Sequence, residues 1–517
     1  MKIKLLLFFL IHSLSTLYAQ EKRYFITDFN AIGDGKTMNT KAIQAAIDTC
    51  ASRGGGKVIF PKGTFLTGTI HLKSHVNLEI TEEAVLLGSD KRNDYEKNDW
   101  YALILAKEQK HISITGKGTI DGQGRALAQD VYRMMKEGLL PPKTKPYDRP
   151  DENQRPQIIE MYHCQNVDIQ GVTIKNAACW VQTYHACVDM RFEKMTVEST
   201  AYWNNDGLDL VDCKNVVVSN CKFNTADDGI CLKSQDTKSC CENITIENCT
   251  VRSSASAIKL GTASYGGFKH ISIKQIKVFD TYRSAVALEC VDGGVMEDII
   301  VDGVEAKNVG NAFFVRLGHR YQARPVGVLK NILLKNIKAT ILNPKPDKGY
   351  EMEGPPPDEK YHLLPASIVG LENHFIQHIT LENIKFTYGG NAKNIDLMSI
   401  DSLKKVPERE KDYPEFDMFG ELPSWGLYVR HTEGVTLKNV KFDLKKEDSR
   451  MTIFFDDTHN ISMNTVQFCP KKSPIFIVFK DVKKARLSKI KPHKNHYDKL
   501  PKTLEMGSCS DLIYDFQ

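Results

Sequence analysis

Asn215-Val216-Val217-Val218-Ser219-Asn220-Cys221-Lys222-Phe223 and Asn243-Ile244-Thr245-Ile246-Glu247-Asn248-Cys249-Thr250-Val251 are two copies of one pattern, 28 residues apart. Each opens on a polar residue, alternates β-branched with polar positions, reaches Asn and starts a second short strand. Later copies begin at His270, Asp298, Asn331, His378, Gly434 and Asn460, and an earlier one at Asn166. The intervals from 243 onward are 27, 28, 33, 47, 56 and 26. The two intermediate ones imply inserted loops; 56 is twice 28 and predicts a degenerate or insert-bearing copy between 378 and 434. A period of ~27 residues built from period-2 strands predicts a β-solenoid whose coils stack at ~4.8 Å. The Leu and Asn ladder of a leucine-rich repeat is absent, and a propeller blade needs a longer unit. The fold class is therefore all-β: a single right-handed parallel β-helix.

A stack of coils has two open ends, and an uncovered end is an aggregation edge. Asn39 to Arg53 predicts a helical cap. Ile43, Ala46, Ile47 and Cys50 recur at helical spacing, Asn39 or Thr40 can cap its start, and Gly54-Gly55-Gly56 stops it. Residues 130–155, 343–365 and 401–424 read as long loops walling a groove. Cys221 and Cys249 occupy equivalent repeat positions and should stack as buried thiols.

Residues 1–19 read as a secretory signal. Lys2 and Lys4 supply the charged start, Leu5 to Ile11 the apolar run, and Leu17-Tyr18-Ala19 the cleavage site. The run is too short for a bilayer, which needs ~20 residues. The expected protein is exported, periplasmic or secreted, with residues 20–517 forming one catalytic β-helix. With 69 Lys plus Arg against 64 Asp plus Glu, the net charge of +5 argues against a nucleic-acid surface. A monomer without membrane attachment is expected.

The densest chemistry lies in two successive coils: Asn204-Asn205-Asp206-Gly207-Leu208-Asp209, then Ala226-Asp227-Asp228-Gly229-Ile230-Cys231-Leu232-Lys233. Aligning the Asp-Gly pieces sets Asp206 over Asp228. Crowding Asp206, Asp227 and Asp228 raises at least one pKa and leaves a proton donor beside ionised partners. Glycoside hydrolysis needs that division of labour. Two other readings stay open from spacing alone: ordinary Asp-Gly turns at strand starts, and a calcium site.

These residues, with Asp34-Gly35, Gly54-Gly55-Gly56, Gly116-Lys117-Gly118-Thr119-Ile120-Asp121-Gly122 and Arg155-Pro156, resemble glycoside hydrolase family 28. That family holds polygalacturonases and rhamnogalacturonan hydrolases on a right-handed parallel β-helix. Its Asn-Thr-Asp signature corresponds to Asn204-Asn205-Asp206, and its Gly-Asp-Asp to Ala226-Asp227-Asp228. The resemblance implies Asp227 as general acid, with Asp206 and Asp228 deprotonating the attacking water and inverting the anomeric centre. It implies no metal and no cofactor. It also implies that Lys233 contacts the carboxylate of the sugar on the non-reducing side of the cleaved bond.

Two departures bear on substrate. Ala255-Ser256-Ala257 stands where the family's polygalacturonases carry Gly-His-Gly, and Ala287-Leu288-Glu289 where they carry Arg-Ile-Lys. Loss of both cations, with an acid in place of one, should repel an anionic sugar after the cleaved bond. A neutral sugar there points to a rhamnogalacturonan-type or otherwise substituted pectic polysaccharide or oligosaccharide rather than plain homogalacturonan. The remaining candidate substrate contacts are Asn204, Lys259, Arg316, Trp203 and His319. Trp180 and Tyr202 are further candidates for stacking on sugar rings, and Trp425 and Arg430 are weaker ones. A β-helix polysaccharide lyase and a non-catalytic glycan-binding protein are the rival functions.

Overall fold

The computed structural model describes residues 22–144, 149–355, 361–392, 406–468, 477–492 and 503–515; the export signal expected at 1–19 lies outside them. Among the described strands, pairing is parallel apart from the short Glu96–Lys97 against Tyr101–Lys107. Each strand pairs with its counterparts one coil earlier and later, giving the expected right-handed parallel β-helix.

The repeat pattern explains this. Leu78, Ile114, Ile169, Phe192, Val218, Ile246, Ile273, Val301, Leu334, Leu381 and Leu437 pair in sequence, coil upon coil. All are fully buried. Each such side chain contributes about 1.5–3 kcal/mol on leaving water. A slip of one residue would turn the whole row outward, so the row fixes the register.

The polar residue opening each repeat makes a corner. Asn166, Asn215, Asn243, His270, Asp298, Asn331, His378 and Asn460 all have φ between 54° and 59°. L-residues pay about 1–2 kcal/mol in this left-handed conformation, and Asn and Asp adopt it most readily. At a second corner the amides bond along the stack. Asn383 donates to Asn336 at 3.1 Å and Asn439 to Asn383 at 2.8 Å.

The cap helix α1 (Thr40–Ser52) buries Ile43, Ala46, Ile47 and Cys50 against the first coils. Its start differs in detail from expectation. The Asn39 side chain makes no cap bond but accepts from Ile32 N at 2.7 Å, bracing the preceding loop. Gly54 and Gly55, at φ of 88° and 98°, end it.

Two other expectations need correction. Ile379 pairs directly with Val435, so the 56-residue interval hides no coil. Its extra length is inserted between the strands Ile376–Tyr388 and Ser424–Leu444, and its described parts, 389–392 and 406–423, are irregular. Residues 130–155 are also not wholly loop. Gly124–Lys136 is a second helix, α2, because Leu127, Ala128, Val131 and Met134 recur at helical spacing and bury one face. The Pro- and Lys-rich run that reads as loop starts only at Pro141. Cys221 and Cys249 do stack as buried free thiols. Among the described residues no helix is long and apolar enough to cross a membrane.

Replacing Ile246 by Ala should lower stability by about 2–5 kcal/mol. Val217→Thr, on the outward side at 40% exposure, should change it by less than about 0.5 kcal/mol. Urea denaturation compares the two; equal losses would contradict the inward row.

Candidate active site

The strands Leu208–Val211, Ile230–Ser234 and Ile258–Ser264 lie side by side on one face of the solenoid. Leu208 pairs with Ile230 and Ile230 with Ile258, so the Asp-Gly corners before them stack. Gly207 N donates to Asp228 O at 2.8 Å, and Gly229 N to Ser256 O at 2.9 Å. The glycines are required here. A Cβ on Gly207 would meet Gly229 O at 2.5 Å, and one on Gly229 would meet Ala257 O at 2.6 Å. This close stacking sets Asp206 directly over Asp228, with Asp227 beside it.

The loop bearing the first aspartate is braced from within. Asn205 is fully buried, donating to Ala177 O and Cys179 O and accepting from Ser199 Oγ. The Asn in place of the family's Thr therefore works as an internal strut. Asn204, at φ 59°, accepts from the buried Arg155 guanidinium at 2.8 Å and donates to Asp227 Oδ2 at 3.4 Å. Arg155 also donates to Ala178 O and Trp203 O, tying three segments together.

Two lysines complete the cluster. Lys233 Nζ lies 3.1 Å from Asp206 Oδ2, bonds Asp209 as well, and sits 4.0 Å over the Trp180 ring. Lys259 Nζ lies 3.2 Å from Asp228 Oδ2, 3.8 Å from Glu289 Oε2 and 3.3 Å from the Tyr413 hydroxyl. Arg283 meets Glu415 at 2.9 Å. Six acids (Asp206, Asp209, Asp227, Asp228, Glu289, Glu415) thus share three cations (Lys233, Lys259, Arg283). They cannot all ionise cheaply in so enclosed a place.

The acids divide accordingly. Burial, reinforced by the Asp228 charge, raises Asp227 above the usual carboxylate range. Burial acts on Asp228 too, but Lys259, Arg283 and Lys233 outweigh it and hold that carboxyl low. Asp206 is raised, chiefly by burial, with Lys233 opposing. Burial pushes Asp209 up to about 6 and Glu415 up to about 7.

One donor atom each of Asp206, Asp228 and Cys231 fall within 4.8 Å of one another. That grouping does not suit calcium, which takes oxygen ligands, because one donor is a thiol. The two lysine ammoniums already face both carboxylates.

Of the residues singled out in the sequence, Asn204, Asp206, Asp227, Asp228, Lys233 and Lys259 line one cleft of about 360 Å³ with Trp100, Trp180 and Tyr413. Trp203 lines an adjoining space of about 830 Å³ with Arg149, Arg283 and Glu415. Lys259 is only 2% exposed and is not the free outward cation expected of it. Arg316 does not line either space. It is fully buried, and its guanidinium donates to Gly370 O and Glu408 O, anchoring the 406–423 loop. His319 is also outside; its Nε2 bonds Arg324 O at 2.7 Å. Trp425 is buried in the core, and Arg430 pairs with Glu408 and Asp456.

Sequence reading missed Trp100, Arg283, Tyr413 and Glu415. Arg283 N donates to Ala255 O at 2.9 Å, one coil earlier, so this residue was findable from the repeat. Tyr413 and Glu415 come from an insertion whose path no periodicity predicts. Trp100 reaches Trp180 at 4.8 Å because Glu160 accepts from the Asp99 and Trp100 amides.

Residues 50–281 match the glycosyl hydrolases family 28. A probable polygalacturonase of Vitis vinifera is 27% identical over 323 residues, 56% of this chain and 62% of that protein. An exo-poly-alpha-D-galacturonosidase of Dickeya chrysanthemi is 30% identical over 268 residues, 42% of each. The chain thus spans about half the length of the curated relatives it matches. The solved structure of a hyperthermoactive exopolygalacturonase from Thermotoga maritima aligns with a TM-score of 0.58 at 21% identity, over 82% of this chain and 92% of that one. At that identity the likeness speaks for the shared fold. The matched segment, under half of the chain, contains Asp206, Asp227 and Asp228 in stacked register and is similar to the glycosyl hydrolases family 28.

Proposed function

We propose that the protein, with residues 20–517 as one catalytic unit, hydrolyses galacturonosyl linkages in a pectic polysaccharide or oligosaccharide, with inversion at the anomeric carbon. The observation that carries this reading is the opposite displacement of two neighbouring carboxyls. Asp227 is raised and faces the cleft, and Asp228 is held low beside Lys259. A protonated Asp227 gives its proton to the leaving glycosidic oxygen. Asp228, ionised, takes a proton from the attacking water. Asp206 shares that water, and two acceptors within 4.8 Å can both bond it at about 2.8 Å each. Lys233, held by Asp206 and Asp209, presents its cation beside Trp180 toward a sugar carboxylate.

For the sugar after the cleaved bond we favour a neutral residue, as in a rhamnogalacturonan-type or substituted pectic glycan. The reason shifts from repulsion to neutrality. Glu289 is not a free anion, since Thr262 donates to it at 3.0 Å and Lys259 lies beside it. Lys259, Arg283 and Arg320 are each matched by an acid: Asp228, Glu415 and Asp292. Among the described residues, none of these three is left without an acid partner to select a second uronate.

Asp227→Asn should lower kcat by about 10²–10⁴-fold, measured as reducing-sugar release; near wild-type turnover would remove Asp227 as the acid. Proton NMR of the first-formed product should show the anomer opposite to that of the cleaved bond, and retention would refute the inverting role of Asp206 and Asp228. Rate against pH should be bell-shaped, falling in acid as Asp228 protonates and in base as Asp227 ionises. A rhamnogalacturonan backbone should be cleaved faster than unsubstituted polygalacturonate, and the reverse order would overturn the neutral-sugar reading.

A further inference from the structure

Lys259 stands in the coil after the paired aspartates, in register with Cys231 before it and Ala287 after it. A lysine buried to 2% exposure is costly unless its charge is met. Three groups from three other segments meet it. Asp228 comes from the preceding coil, Glu289 from the following one and Tyr413 from the inserted loop, all within 3.8 Å of its Nζ. Asp228 is gripped at its other oxygen by the Ser256 amide at 3.1 Å. The carboxylate thus has one oxygen fixed by backbone and one by a cation that is itself held on two sides.

We propose that Lys259 is a positioning residue that keeps Asp228 ionised and oriented as the base, with Tyr413 holding its ammonium in place and Glu289 drawing on the same charge. The proposal rests on the hydrolase reading for its meaning, but the interaction it names can be measured without turnover. Other charges also face Asp228: Asp206, Asp209, Asp227 and Glu289 oppose its ionisation, and Lys233 and Arg283 favour it. The Cys231 thiol, pushed well up by burial, stays neutral beside it. Lys259 is the cation in direct contact among these, at 3.2 Å. Glu289 competes for the same ammonium, so it weakens the hold that Lys259 has on Asp228.

Two substitutions therefore have opposite signs. Lys259→Met removes the contact and should raise the Asp228 pKa by about 1–3 units. Glu289→Gln frees the ammonium for Asp228 and should lower it. Carbon NMR of the full chain labelled at aspartate carboxyls follows the titration, with the Asp228 signal assigned by its loss in Asp228→Asn. Lys259→Arg should restore a titration close to wild type. In kinetics on the preferred galacturonan, the acid limb of kcat/KM should move up in Lys259→Met with little change in KM. A rise smaller than about 1 unit in folded Lys259→Met overturns the proposal. If that variant does not fold, Glu289→Gln decides, and an Asp228 titration that stays put or rises overturns it. Failure of the hydrolase reading would show separately, as no sugar release by the unmodified protein while the Asp228 titration still responds.

Discussion

Everything at the site depends on register between neighbouring coils. Inward rows such as Val218, Ile246 and Ile273 leave water only if each coil sits directly on the last. Left-handed corners at Asn215, Asn243 and their equivalents turn the chain at matching points. The two constraints together superpose Asp206 on Asp228 without any direct bond between the aspartates. Loss of the Cβ at Gly207 and Gly229 then lets the coils approach closely enough for the carboxyls to interact. The chemistry is crowded because the packing is.

Crowding has its own consequence. Six acids around three cations cannot all give up their protons with equal ease, and position decides which is held low and which is raised. Asp228 is held low because Lys259 touches it; Asp227 is raised, first by its burial and then by that neighbouring charge. A hydrophobic fold built for stacking thereby sets a raised carboxyl beside a lowered one, the division that the proposed glycosidic cleavage needs. The inserted loop 406–423 completes the arrangement with Tyr413 and Glu415, and Arg316 and Arg430 hold that loop to the stack.

How much of this could be read beforehand follows from the same physics. The β-helix, the α1 cap and the overlay of Asp206 and Asp228 were legible because a period of ~27 residues repeats the same burial pattern. Ala255-Ser256-Ala257 and Ala287-Leu288-Glu289 fell where the period placed them. What lies outside the period was not legible. The 378–434 interval looked like two coils because insertion length can mimic a repeat. Arg316 looked like a groove cation because nothing in the sequence says that a distant loop covers it. Lys259 was placed correctly but its environment was not, since Glu289 and Tyr413 approach it from a later coil and an insertion. Helix α2 went unread because the Pro-rich run behind it drew residues 130–155 into a loop.

The central claim is that these stacked aspartates deliver water to a galacturonosyl carbon. Cleavage of a galacturonan in ¹⁸O-enriched water, followed by mass spectrometry of the fragments, tests it directly. Hydrolysis predicts one labelled oxygen at the new reducing end and none on the leaving sugar. Fragments carrying a double bond and no label would contradict it, because that is the outcome of elimination.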